Sequence, residues 1–531
     1  MTNFIDLNAY DGDAAIEADI CVVGAGAAGI TLARSLARAK LSVVLLEAGG
    51  MELDGATQLL YSGDNTGIRY FDLTACRLRY FGGTTNHWGA YTNFNSRLDF
   101  EGRPELGLPA WPFAYDDLVP YLQRAAEMLE LDWNQYAPEA HAANAGESVS
   151  DLVENTTERL ATTVFQKTRH RKFSESFADD LKAQANLRVF LNANLTRVQL
   201  RPDAGAVEHF RFQSLGGKTL RVRARAYVMA CHAIENARLL LASNDVVAAG
   251  VANRSDQVGR NFMDHVHVFQ GELISTDQTV PPLYSNDGKR WGRFDYNYAT
   301  RCVAAVTDET SRAEDMQSYY MGLHAADPGD AQFNAMLTLQ DTFFEPLNRR
   351  VLSALAATAS APATSARLVG QRFGFVSRRP RTFRLDHRID QAPNPDSRIT
   401  LRDERDALGL PKINLHWDIT DLDVHSFNRG QDITVAELSA AGFGRFAVRP
   451  FTKAELRENL LGHYHHLGTT RMSASPSSGV VNGDGRAHDV PNLYIAGSST
   501  FPVAGKSGPT MSIVAMAMRM ADHLTTQLEP A

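Results

Sequence analysis

Ala18-Asp19-Ile20-Cys21-Val22-Val23-Gly24-Ala25-Gly26-Ala27-Ala28-Gly29 is the stretch on which the fold turns. Its first half is short, apolar and rich in β-branched residues, as a strand buried on both faces of a parallel sheet should be. From Ile30 to Ala39 leucine and alanine recur at helical spacing, and Leu41 to Leu46 is a second buried-strand pattern closed by Glu47. The whole reads as a βαβ unit with Gly-x-Gly-x-x-Gly at its first turn. Gly24 permits the tight turn, Gly26 lets a pyrophosphate approach the backbone, and Gly29 lets the helix pack closely on the strand. Amides at the helix start, around Ala27 and Ala28, then face the phosphates. Glu47, 18 residues beyond Gly29, is placed to accept hydrogen bonds from an adenosine ribose. A dinucleotide cofactor is expected. Ala48-Gly49-Gly50 stand where a 2′-phosphate would require lysine or arginine, which disfavours NADP. The motif alone does not separate NAD from FAD.

The remainder of the chain sets the class. Its 531 residues suit about three units of ~150 residues, or one large interleaved enzyme. With 44% apolar and 21% charged residues it has the composition of an ordinary globular protein. A net charge of −8 argues against a dedicated nucleic-acid binder. The four cysteines are far apart and form no metal-ligand spacing, so neither a disulfide scaffold nor a metal site is expected. The first 19 residues are acidic where a secretory signal needs a basic start and an apolar middle. Val351–Val369 is apolar but holds Pro362 and Arg367, and reads as a surface helix pair, not a membrane span. Cytoplasmic residence is the default expectation, with periplasmic export on a partner subunit left open.

Two further glycine-rich stretches lie far from the start. One is Arg79-Tyr80-Phe81-Gly82-Gly83-Thr84-Thr85-Asn86-His87-Trp88. The other, Gly462-His463-Tyr464-His465-His466-Leu467-Gly468-Thr469-Thr470-Arg471-Met472, leads into a final helical pattern over Thr510–Leu524. Between them come Ala233-Ile234-Glu235-Asn236-Ala237-Arg238, Val258-Gly259-Arg260-Asn261-Phe262-Met263-Asp264-His265 and Pro393–Arg398. In this order, over nearly the whole chain, the set resembles the glucose-methanol-choline (GMC) family of FAD-dependent oxidoreductases. It looks most like bacterial members acting on sugars, glycosides or polyols.

The resemblance implies an α/β fold, with an FAD-binding Rossmann-like domain interleaved with an antiparallel-sheet substrate domain. The first would gather residues 14–110, 190–275 and 450–531, the second 111–189 and 276–449. FAD would be held by Gly24, Gly26, Ala27, Ala28, Gly29, Glu47, Ala48, Arg79, Gly82, Gly83, Asn86, His87, Trp88, Ala230, Ser498, Gly508 and Thr510. Val198 would meet the adenine through its main chain. Asn86-His87-Trp88 matches a segment in which some members carry FAD covalently on the histidine and others do not; both remain open for His87.

Alcohol oxidation needs a base for the hydroxyl proton, and a neutral imidazole suits that task. By resemblance the base is His465, three residues before Gly468. In an extended segment His463 would share its face while His466 points elsewhere. The sequence departs from the family at Gly508, where Asn or His usually completes a catalytic pair. His463, Lys506, Ser507 or a water would then supply the second group, Lys506 best matching a developing alkoxide as a cation. A second departure is His232, where relatives commonly have glycine. Tyr284, Trp291, Arg293, Tyr296 and Tyr298 are of types that bind sugars. The expected reaction is oxidation of an alcohol group on a sugar, glycoside or polyol, with oxygen, a quinone or a cytochrome or small subunit as electron acceptor. The alternative is a flavin-containing lyase doing acid–base chemistry without redox turnover.

Overall fold

A computed structural model describes residues 3–145, 148–275, 280–281, 283–284, 301–325, 349–366 and 382–528. The opening motif folds as its sequence dictates. Strand β1 (Ala15–Val23) runs into helix α1 (Ala27–Arg38), and β2 (Val43–Leu46) follows, all four of its residues buried. The helix buries Ile30, Leu32, Ala33, Leu36 and Ala37, each large apolar side chain worth about 1.5–3 kcal/mol when fully removed from water. Gly24 turns at φ +97°, and a Cβ there would meet the Ala230 carbonyl oxygen at 2.5 Å. Gly29 is as constrained, since a Cβ would lie 1.8 Å from the Gly24 oxygen.

Around this unit an eight-stranded sheet forms in the order 4–6, 187–191, β2, β1, β3 (Thr219–Met229), 207–213 and 194–200, with 493–495 also beside β3. The pairings from 4–6 through β3, and that with 493–495, are parallel. The outer pair is antiparallel. Helix α2 (Ala233–Ala242) follows β3, and the terminal helix α3 (Thr510–Leu528) packs on α1.

A second sheet has seven strands in the order 445–447, β4 (Val266–Ile274), β5 (Thr382–Ile389), 319–325, 301–306, 160–167 and 91–92, all antiparallel. A third joins 398–405, 411–417 and 63–67.

Strands 4–6 and 187–191 belong to the first sheet and β4 to the second. Helix Tyr115–Met128 packs on α3. Apolar runs reveal strands but not their partners. The strand Gly63–Gly67, Gly-Asp-Asn-Thr-Gly, has little strand propensity beyond Thr66; parallel pairing with Ile413–Trp417 recruits it. Among the described residues no helix is long and apolar enough to cross a membrane.

Candidate active site

One cavity of about 770 Å³ runs from the first βα turn to the histidine cluster. Val23, Gly24, Gly26, Ala27 and Ala28 line one end. Helix α1 starts there without a side-chain cap, so its first amides and the positive end of its dipole face the cavity. A Cβ on Gly26 would meet nothing within 4 Å, which leaves room for a group pressed against the backbone. Glu47 is buried at the same end, accepting from Ala25 N–H (2.8 Å) and Gly49 N–H (3.1 Å). Burial raises its pKa, and each oxygen keeps a further lone pair for a ribose hydroxyl. These features fit a dinucleotide: helix amides for a pyrophosphate, a carboxylate for a ribose.

Beyond Glu47 a buried charge network forms the wall. Arg79 donates to Glu235 Oε1 (3.2 Å) and Asn194 Oδ1 (3.1 Å); Arg238 bridges Glu235 (3.3 Å) and Asp406 (2.6 Å). The Arg77 guanidinium lies over the Tyr61 ring at 3.9 Å. These arginines hold the Glu235 pKa down to about 2 against its burial. Arg79 was expected at the cofactor; Arg77, Tyr61 and Glu235 line the cavity without having been singled out for it.

Ala48, Gly83, His87, Trp88, Ala230, Ser498, Gly508 and Thr510 line the cavity too. Five expected residues do not. Gly29 packs inside the βαβ turn. Gly82 (φ +95°) and Asn86 shape the neighbouring loop, with Asn86 donating to the Phe81 carbonyl (2.9 Å) and accepting from Ser174 Oγ (2.6 Å). The Val198 amide is taken by Ser243 Oγ at 3.0 Å, and Leu195 from the same strand reaches the cavity instead. Lys506, expected beside the substrate oxygen, does not line the cavity, and its charge is felt by buried Asp99. Proximity to Gly508 in sequence did not fix which way that loop residue turns. Of the sugar-binding types, Tyr284 accepts from the Val153 amide (3.0 Å) away from the cavity; Trp291, Arg293, Tyr296 and Tyr298 lie outside the described residues.

At the far end His463 and His465 stack with ring centroids 4.7 Å apart and planes at 18°. His466 turns away to meet His232, Nδ1 to Nε2, at 2.5 Å. His232 adopts φ +77°, ψ 157°, a glycine conformation, to make that contact and to begin α2. Asp264 clamps the loop: its carboxylate accepts from the backbone amides of His463 (2.8 Å), His465 (3.0 Å) and His265 (2.7 Å), and from Tyr70 Oη (2.6 Å). His465 Nδ1 lies 2.9 Å from His265 Nδ1, and His265 Nε2 lies 2.7 Å from the Gly505 carbonyl oxygen. Gly508 faces the same ring: a Cβ there would lie 3.6 Å from His465 Nε2. Burial, with His463, His265 and Arg388 nearby, holds the His465 pKa well below 6.5, so the ring is neutral near pH 7. Arg388, gripped by Asp386 through Nε and Nη2 (both 3.2 Å), lines this end with Tyr320 and Phe165. The long-range sheet brings those three in, and no local pattern marked them.

Family models of the amino- and carboxyl-terminal parts of GMC oxidoreductases match residues 23–267 and 393–517. The chain belongs to the GMC oxidoreductase family. It is an FAD-binding oxidoreductase of the kind that acts on CH–OH groups. Over 97% of its length it is 25% identical to the fructose dehydrogenase large subunit of Gluconobacter japonicus, covering 99% of that protein. Over 96% it is 24% identical to the paromamine 6′-oxidase of Streptomyces fradiae, covering 92% of it. A formate oxidase variant from Aspergillus oryzae superimposes with a TM-score of 0.59 at 17% identity, covering 98% of this GMC oxidoreductase and 99% of the other chain. That likeness speaks for the fold.

Proposed function

We propose that this GMC oxidoreductase oxidises a secondary or primary alcohol on a sugar, glycoside or related polyol, with His465 as the general base. One observation carries the reading: the neutral His465 ring faces the cavity beside Gly508, at the end opposite the α1 amides and Glu47. When bound, FAD supplies the two-electron acceptor that takes the hydride from the carbinol carbon. The protein does the rest. His465 takes the hydroxyl proton, and the Asp264 clamp holds its backbone while His265 meets its ring, so that orientation is set before the substrate arrives. His463 extends the polar wall by stacking on His465. Trp88, Tyr320, Tyr464 and Arg388 make the substrate end an aromatic and hydrogen-bonding surface suited to a hydroxylated ring. Two relatives that span the full chain are named for fructose and for paromamine, which supports the same substrate class.

The test is an anaerobic absorbance titration of the holoenzyme against sugars, glycosides and simple polyols. Bleaching of the oxidised flavin band by a member of the panel is expected, and air, a quinone or a cytochrome added afterwards identifies the electron acceptor. In His465→Ala the bound flavin should remain while its reduction by substrate falls about 10²–10⁴-fold, the contribution of a positioned base. Reduction at the wild-type rate would remove His465 from the role.

A further inference from the structure

We propose that His265 is a positioning residue that fixes which nitrogen of His465 is free to receive the substrate proton, through a chain ending on the Gly505 carbonyl. The inference rests on the reading of His465 as the base. A peptide carbonyl has no proton to give, so His265 Nε2, 2.7 Å from the Gly505 oxygen, is the donor in that contact. Burial brings the His265 pKa down to about 4, so the ring is neutral and its Nδ1 is bare. A bare Nδ1 only accepts; His465 Nδ1, 2.9 Å away, therefore carries the proton. The lone pair of neutral His465 is then on Nε2, the nitrogen that faces Gly508.

The far end of the chain is fixed as firmly. Gly505 sits at φ +72°, and a Cβ there would fall 2.4 Å from the Asn95 side chain. Its amide donates to buried Asp390 Oδ1 at 2.9 Å. The backbone amides of both His265 and His465 are held by Asp264 Oδ1, so the two rings cannot drift apart independently. The chain selects a tautomer and does not conduct protons, because the Gly505 oxygen is too weak a base to take one. A proton received at Nε2 must leave by way of the cavity.

The measurement is a long-range ¹H–¹⁵N correlation on holoenzyme labelled with ¹⁵N-histidine, His465 being assigned by its loss in His465→Ala. The expected wild-type pattern is a protonated Nδ1 and a bare Nε2. A proton on Nε2 overturns the proposal, whether or not any His265 variant folds. In His265→Ala the His465 signals should move toward mixed tautomers, and anaerobic flavin reduction by substrate should slow about ten- to a hundredfold, as when the partner orienting a ligating histidine is lost. His265→Gln, whose amide offers both an acceptor and a donor, should recover part of that loss. A His265→Ala enzyme with an unchanged rate, or a slowed one in which His465 keeps its Nδ1 proton, overturns the positioning role and leaves His465 standing as base. Wild-type reduction in His465→Ala would instead overturn the reading beneath it.

Discussion

At the glycine end of the cavity Val23 through Ala28 belong to one continuous βα turn, whereas the histidine end gathers residues 264–265, 388, 463–466 and 505–508 from separate parts of the chain. The first works through backbone: amides, a helix dipole and the absence of side chains. The second works through imidazoles, each oriented by another group. The difference teaches where each function is vulnerable. At the glycine end an atom added at Gly24 or Gly29 runs into backbone, and, Glu47 aside, side-chain identity matters little. At the histidine end the backbone is clamped, and the identity of each ring matters.

The largest expected effect breaks the glycine end. Gly29→Val adds a branched side chain where even a Cβ would lie 1.8 Å from the Gly24 carbonyl. The α1–β1 packing cannot absorb that, and the purified protein should carry no flavin by absorbance. A variant that kept stoichiometric flavin would show the turn to be more pliable than its contacts imply. His465→Ala is the counterpart, with flavin retained and its reduction by substrate lost.

A smaller effect sharpens the comparison through pH. Burial lowers the His465 pKa, and the charges or imidazoles of His463, His265, Arg388 and His466 lower it further. The base form therefore persists through neutral pH, and activity is lost only as pH falls through the depressed pKa. In a pH profile of kcat/KM the acid limb should lie below 6.5. Arg388→Met removes one cationic neighbour and should move that limb upward. A wild-type limb above 6.5, or no movement in the variant, would mean that the base is more exposed than this geometry allows.

The same contrast explains what the sequence disclosed. The Gly24–Gly29 turn, β2 and Glu47 are local, and their spacing sufficed to read them. His465, marked by a short motif, lines the cavity. His463 did stack on it, and His466 did turn away. Arg388 and Tyr320 were invisible because antiparallel pairing of β5 with strand 319–325 places them, and nothing near them in sequence hints at the cavity. His265 lay inside a recognised segment, but a histidine's role is set by what its second nitrogen touches, here a carbonyl 240 residues away. Lys506 is the reverse case: it is close in sequence to Gly508 and does not line the cavity.

His232 is where the two ends meet, and the smallest effect is expected there. It occupies a glycine conformation at the start of α2, a strain of about 1–3 kcal/mol. His232→Gly relieves that strain but leaves buried His466 Nδ1 without its partner, which costs about 1–3 kcal/mol. The two oppose each other, so the unfolding midpoint of the holoenzyme should shift by the equivalent of no more than about 2 kcal/mol, the largest residual of those opposing ranges. The flavin spectrum discriminates further. His232 and His466 both line the cavity, so losing the pair should perturb the band while His465, held by Asp264 and facing His265, still supports reduction. A collapse of reduction in His232→Gly would mean that the orientation of His465 depends on its sequence neighbour as well as on the chain through His265.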